Sequence, residues 1–442
     1  MGNGKSDKAV RQLEAARGLA RDLAGKLDLN ASLRLWDGSL TPLGSNVTGP
    51  FEISIADAGV IGSLLRWPTL DNFIRHYVDK GIDFSGGTLI DLGSQLNRGG
   101  RSVKLKGRDA LKLARQLYPF LTARSEVADG DQGFEGEITG RRRKTADNKD
   151  FIQFHYDLSN DFYALFLDPE MVYSCAYYTN WNNDVAQAQR DKLEMICRKL
   201  RLKPGERFLD IGCGWGGLIC HAAKTYGVTA HGITLSEEQL AFAKEKIKRL
   251  GLEDKVTVEL KDYSMMLGQF DKIASIGMFE HVGIANYPTY FGTIHRLLKP
   301  HGLYLHHAIV RRAKRDDKAF RRRSREYIAL TRYIFPGAEV DHIGMSVSNL
   351  DRYGFEVRDV EGWREHYAQT CRLWHDRLLA NREAAEKEVG IIRTRLWLAY
   401  LAGVALGFEG KSMGIYQTLA VRRDRGPRER DGLPPTRADL YR

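Results

Sequence analysis

Residues 208–217 read FLDIGCGWGG: an apolar run, an aspartate, then clustered glycines. A turn this rich in glycine suits the junction of a buried strand with a helix. Glycine accepts positive φ and lets backbone approach a ligand closely. The surroundings of this turn narrow the fold class. From about residue 185, helical segments alternate with apolar strand-like runs. The pattern predicts helices over 187–200, 218–226, 237–250 and 287–298. It predicts strands over 207–212, 228–234, 256–260, 270–277 and 303–309. Such a βαβα series implies a doubly wound α/β domain with a parallel sheet covered on both faces.

Gly212, Gly214 and Gly217 also satisfy the GxGxxG pattern of dinucleotide sites. Two details favour S-adenosylmethionine over a nicotinamide cofactor. Asp210 ends the strand just before the glycines, where a carboxylate can pair with a ligand ammonium. The next strand ends in Thr234, with no acid where a dinucleotide fold holds its ribose. Asp262 and Tyr263, after the third strand, can offer adenine a hydrogen bond and a stacking face.

The chain has 442 residues, 67 Lys+Arg against 56 Asp+Glu, and a net charge of +11. That excess favours an anionic partner, a nucleic acid or a bilayer surface. The five cysteines form no CxxC pair, which fits a reducing cytosol and offers neither a metal site nor a disulfide framework. The longest nearly apolar run, 396–408, is shorter than the ~20 residues a bilayer span needs, so membrane contact is expected to be peripheral. The opening MGNGKS matches a myristoylation pattern, although a pattern with three wildcards is easily met by chance. Residues 8–29 predict an amphipathic helix with Leu19, Leu23 and Leu27 on one stripe, packed on its own domain or lying on a membrane. A helix is expected over 67–80, and residues 126–150, with Arg141 to Arg143 and Lys144, read as a charged linker.

Five separated blocks agree, in order, with one family. They are 155–161 (HYDLSND), 173–177 (YSCAY), 209–217, 277–282 (GMFEHV) and 333–336 (YIFP). Over about 150–421 the chain resembles the cyclopropane-fatty-acyl-phospholipid synthases and mycolic acid cyclopropane synthases. Its N-terminal part resembles the lipid-binding domain of the bacterial enzymes only loosely. The resemblance implies a doubly wound mixed sheet of the class I S-adenosylmethionine-dependent methyltransferase type, with a smaller N-terminal α+β domain. The expected division is 1–145 for that domain and linker, 146–421 for the catalytic domain, and 422–442 for a basic tail.

The resemblance also implies a reaction. The π bond of a cis-unsaturated acyl chain takes the methyl group of S-adenosylmethionine, a carbocation forms, a proton leaves and a ring closes, with bound bicarbonate as base. Family positions for bicarbonate fall on Cys175, Glu280, His307, Ile309 and Tyr367. Cys175 and Ile309 would offer backbone groups, Glu280 and His307 would set the ion's protonation state, and Tyr367 would donate its hydroxyl. Methyl-donor positions fall on Tyr173, Ser174, Gly212, Gly214, Thr234, Gln239, Asp262 and Tyr263, beside Asp210 from the strand end. His306 and His307 are adjacent in a strand and face opposite sides, and the resemblance selects His307. No metal is implied. Aromatic residues just before the core, Phe154, Tyr156, Phe162, Phe166, Tyr173, Tyr177 and Tyr178, are candidates to stabilise a cation, and others of them to pack.

The chain departs from the family pattern in a basic insertion that runs from Arg311 to Arg325. It could grip lipid phosphates or form a solvated face. The expected partners are unsaturated phospholipids at an anionic membrane surface, without nucleic acid. The expected location is cytoplasmic, on the inner face of the membrane, and a homodimer presenting two basic faces suits such an enzyme. Three alternatives stay open. They are a lipid methyltransferase giving methyl-branched or methylene chains, a nicotinamide-dependent oxidoreductase, and a non-catalytic lipid- or RNA-binding protein.

Overall fold

The computed structural model describes residues 3–99, 107–125, 158–322, 338–423 and 433–441. The block 333–336, residues 155–157 of the first block, Phe154, Tyr156, the charged run 141–144, and Arg323 and Arg325 lie outside them. The chain forms two compact units, the first from 1–133, 323–333 and 390–406, the second from 134–322, 334–389 and 407–442.

The first unit holds a four-stranded sheet of β1 (Ser32–Arg34), β2 (Leu40–Pro42), β3 (Glu52–Ile55) and β4 (Ile82–Ser85), in the order β2-β1-β3-β4. Its first helix, Asn3–Leu27, buries Gln12, Ala16 and Ala20 rather than the expected leucine stripe. The small alanines let the helix backbone close on Phe120 and Leu29, and Gln12 Nε2 donates to Pro119 O at 2.9 Å. The helix packs on its own unit. The helix expected over 67–80 begins later, at Leu70, where Thr69 caps it.

The helix Ile391–Glu409 is longer than the apolar run 396–408, and by length and composition alone it could cross a membrane. However, 56% of its most apolar window is buried, and Arg395 within it is 1% exposed. Arg395 donates to Tyr77 O and Ile82 O and pairs with Asp83 at 2.9 Å. A buried guanidinium bonded to two backbone carbonyls and a carboxylate is the signature of a core helix.

The second unit is built on seven strands. Five follow the predicted alternation: β5 (Arg207–Ile211), β6 (Thr229–Thr234), β7 (Val256–Leu260), β8 (Phe270–Ile276) and β9 (Leu298–Arg311). Two more, β10 (Phe355–Gly362) and β11 (Met413–Arg422), complete the order β10-β11-β9-β8-β5-β6-β7. The pairs among β5 to β9 are parallel, and β11 is antiparallel to both β9 and β10, so the sheet is mixed. One apolar layer lies around Ile196, Phe208, Ile219 and Leu305, and the other around Leu209, Ile273, Phe291 and Tyr304. These layers are the two covered faces that an α/β sheet requires.

The helix Val185–Leu200 lies against this sheet. Asp184 caps it by accepting from the Gln187 N–H at 2.7 Å. Asp184→Ala is expected to cost about 1 kcal/mol, read as a lower urea midpoint with an unchanged slope. No shift in the midpoint would show that the cap contributes nothing. Part of the expected C-terminal tail also packs here, since Leu440 is buried and Asp439 pairs with Arg201 at 3.1 Å.

Candidate active site

A cleft at the carboxyl ends of β5, β6 and β7 is lined by all nine residues expected at the methyl donor. They are Tyr173, Ser174, Asp210, Gly212, Gly214, Thr234, Gln239, Asp262 and Tyr263. The turn after β5 has φ of +81° at Gly212 and +54° at Gly214. A Cβ on Gly212 would also meet Met278 Cγ at 2.8 Å, so glycine is required twice over there. The Gly212 and Cys213 N–H groups donate to Ile233 O and lock the turn to β6. Thr234 Oγ1 bonds Gln239 Oε1 at 2.7 Å, tying the end of β6 to the next helix. Asp262 accepts from the Ser264 N–H at 2.9 Å, which holds Tyr263 against Tyr290, ring centroids 5.3 Å apart.

Asp210 is 3% exposed, and its Oδ1 has no hydrogen-bond partner. Burial pushes its carboxyl up to about 7, opposed by Lys192. A buried, unpartnered carboxylate oxygen in the wall of a cleft fits a cationic ligand group. The residues present therefore fit S-adenosylmethionine, whose ammonium Asp210 would hold. Tyr173 and Trp215 line the cleft and are backed by buried rings: Tyr173 stands 5.2 Å from Trp374 and 5.6 Å from Tyr163, and Tyr163 stands 5.0 Å from Trp215. Phe162, Phe166 and Tyr178 are buried, and Phe162 and Phe166 pack edge to face at 5.7 Å.

Sequence reasoning missed Lys192. It is 2% exposed, lines the cleft and donates to Ser174 Oγ at 2.9 Å. Burial pulls it down to about 8, while Asp168, Cys175 and Asp210 hold it up. Gln189 Nε2 donates to Ser174 O and Val172 O, fixing the loop that carries Tyr173. A signal was present. Gln189, Lys192 and Lys199 fall at helical spacing on the stripe that also carries Leu193, Ile196 and Leu200. A polar residue on the apolar stripe must find partners inside, as Lys192 Nζ, Lys199 Nζ and Gln189 Nε2 do.

The five positions assigned to bicarbonate are not among the residues that line this cleft, and their contacts fall into two groups. Glu280 sits in the short turn Phe279–His281 after β8, and its Oε1 accepts from the Ile309 N–H at 2.6 Å. That N–H is therefore taken by Glu280, so the backbone donor expected from Ile309 is already engaged. The other three gather around Trp363. Cys175 Sγ lies 3.8 Å from Trp363 O, the His307 ring stands edge-on to the Trp363 ring at 5.5 Å, and the Tyr367 N–H donates to Trp363 O at 3.0 Å. The Tyr367 ring packs on Phe408 at 4.7 Å.

Glu280 Oε2 and His307 Nε2 are both buried with no hydrogen-bond partner. Burial pushes Glu280 up to about 7, against the pull of the Ile309 N–H. Burial also drives His307 well below its usual value, with Lys192 and Lys199 adding to the effect. These two atoms fit a small ligand that both accepts and donates hydrogen bonds, as bicarbonate does. His306 faces the other layer, as the strand alternation predicts. Its Nδ1 bonds the Tyr304 hydroxyl at 3.0 Å, its ring meets Phe279 at 4.5 Å, and burial takes it down to about 3. In the basic insertion, Arg311 is used internally, with its guanidinium 3.7 Å over the Phe320 ring, whereas Arg315 is almost fully exposed.

Residues 143–418 match the sequence profile of mycolic acid cyclopropane synthetase. A probable fatty acid methyltransferase of Pseudomonas putida is 36% identical over 94% of this chain and 97% of its own length. The cyclopropane-fatty-acyl-phospholipid synthase of Escherichia coli is 38% identical over 61% of this chain and 66% of its own length. The solved structure of mycolic acid cyclopropane synthase CmaA1 with SAH and CTAB superposes at a TM-score of 0.58 and 32% identity, covering 62% of this chain and 98% of that one.

Proposed function

We propose that this chain, which belongs to the mycolic acid cyclopropane synthetase family of S-adenosylmethionine-dependent lipid methyltransferases, forms cyclopropane rings on cis double bonds of phospholipid acyl chains. The observation that carries this reading is the pair of buried, unpartnered atoms Glu280 Oε2 and His307 Nε2. A simple methyl transfer to oxygen or nitrogen needs only a base or a lone pair on the acceptor. Ring closure on carbon also needs a C–H proton to be removed from the new methyl group in a site sealed from water.

When bound, S-adenosylmethionine supplies the methyl group as an electrophile, and bicarbonate would supply the base. The chain's own residues do the rest. Asp210 holds the donor's ammonium. Tyr173 and Trp215, which line the cleft, would present π faces to the carbocation, and Tyr163 and Trp374, buried behind them, pack against those rings and help keep water out. Glu280 and His307 hold the small anion by one acceptor or acid group and one ring nitrogen. The family match sets aside the nicotinamide reading of the glycine turn.

A second reading rests on the Pseudomonas putida relative, a probable fatty acid methyltransferase matched along almost its whole length. The same first step would then end in a methyl-branched or methylene chain. We further place the enzyme at the cytoplasmic face of an anionic membrane, as its net charge of +11 and its exposed Trp67 and Tyr118 support. The test is product analysis by NMR after turnover on vesicles of unsaturated phospholipid, anionic or zwitterionic. Ring protons, formed faster on the anionic vesicles, are the expected result. Olefinic methylated product without ring protons would replace the first reading by the second, and equal rates on both vesicles would remove the membrane placement.

A further inference from the structure

His307 Nδ1 lies 2.9 Å from Gln417 Nε2, and Gln417 Oε1 accepts from Lys199 Nζ at 2.8 Å. Lys199 also pairs with Glu361 and stands 5.0 Å over the Trp363 ring. Lys199, Gln417 and His307 are each at most 1% exposed. Their positions follow from the register: Gln417 on β11 is directly opposite His307 on β9.

The chemistry of these groups leaves one consistent arrangement. A lysine salt-bridged to a carboxylate is an ammonium, which only donates hydrogen bonds. The Gln417 amide must therefore turn its oxygen to Lys199 and its NH2 to His307. An NH2 group only donates, so Nδ1 must accept and carries no proton. The imidazolium and the Nδ1–H tautomer would each set two donors face to face. The ring's single proton is then on Nε2, the atom with no protein partner.

We infer that Lys199 and Gln417 are positioning residues that lock His307 as a neutral ring with a permanent Nε2–H donor directed to the ligand, so that His307 holds the reacting anion and does not itself take the proton. This rests on the proposed reaction for its consequence, but not for its geometry. The proton from the new methyl group must go to the bound anion or to Glu280, because the ring offers no lone pair on its ligand side. Outer groups that fix an imidazole tautomer commonly carry large effects on the site they serve.

The test reads the tautomer directly, with no substrate present. Long-range 1H–15N spectra of enzyme carrying 15N-histidine, with the resonances of His307 identified by their loss in His307→Asn, should show a bare Nδ1 and a protonated Nε2. Gln417→Glu keeps the shape and the contact with Lys199 but sets a carboxylate against Nδ1. It should protonate Nδ1 and lower kcat about 10–100-fold, with KM for S-adenosylmethionine little changed. Lys199→Arg keeps a donor-only cation and should keep Nδ1 bare and most of the activity.

A protonated Nδ1 in the wild-type enzyme overturns the inference. So does a bare Nδ1 in Gln417→Glu, or full kcat in that variant once Nδ1 is protonated. If the wild-type enzyme turns over no unsaturated lipid, the proposed reaction falls instead, and the spectra still report on the lock.

Discussion

Glu280→Gln is expected to lower turnover about 1000-fold while SAH affinity, read by calorimetry, stays within about threefold of the wild type. The glutamine carbonyl can still accept from the Ile309 N–H, so the local hydrogen bond and shape are kept. What is lost is a group that can gain or lose a proton at Oε2, the buried atom facing no protein partner. Loss of SAH affinity in step with turnover would move Glu280 from the reaction to the cofactor site.

The same substitution should change stability in a pH-dependent way. Burial raises the Glu280 carboxyl from 4.5 to about 7 in the folded chain. Below pH 4.5 both the folded and unfolded chains hold this proton, and it contributes no difference. Between 4.5 and 7 the unfolded chain releases it first, so the folded state loses stability as pH rises. Above 7 the loss is complete, on the order of 3 kcal/mol. Glutamine does not ionise, so the ligand-free variant should gain on the wild type by about that much between pH 4.5 and pH 8. Urea unfolding at both pH values measures it, and an equal gap at both would show that Glu280 ionises as an ordinary carboxylate.

Asp210→Asn is expected to weaken SAH binding about 1000-fold at pH 8, because it removes the charge that a buried ammonium pairs with. In the wild type, burial raises Asp210 to about 7 despite Lys192 nearby. Below pH 7, binding a cation must first expel the Asp210 proton, so affinity should fall about tenfold per pH unit. Above 7 this dependence ends, and in Asp210→Asn it should be absent at every pH. Calorimetry at pH 6 and 8 separates the cases. Retained affinity in Asp210→Asn would place the ammonium elsewhere in the cleft.

The five parallel strands were legible because each carries its own apolar run, which needs no partner to be recognised. The strands β10 and β11 were not. Along β10 exposed and half-exposed residues alternate after Phe355, which is the weak pattern of an edge strand. The strand β11 pairs with β9 from roughly a hundred residues away, with Met413 against Arg311. The glycine turn and its aspartate were legible for the same local reason as the strands, since positive φ and a strand-end carboxylate are set by neighbouring residues. Lys192 left only the trace of a polar residue on an apolar stripe, and Gln417 was not legible, because what makes each of them matter is a group brought in from elsewhere in the fold.

The turn 208–217 and the alternation around it, by themselves, determined a doubly wound fold and the end of the sheet where a ligand can bind. Local conformation and apolar periodicity are short-range properties, written residue by residue. The tertiary structure alone decided the electrostatic state of the site. It buried Asp210 and Glu280 far enough to raise both to about 7. It also set Lys199 and Gln417 behind His307, from positions 108 and 110 residues away in the chain. A carboxyl's pKa and an imidazole's tautomer depend on which groups stand within a few ångströms, and only the folded chain brings those groups together.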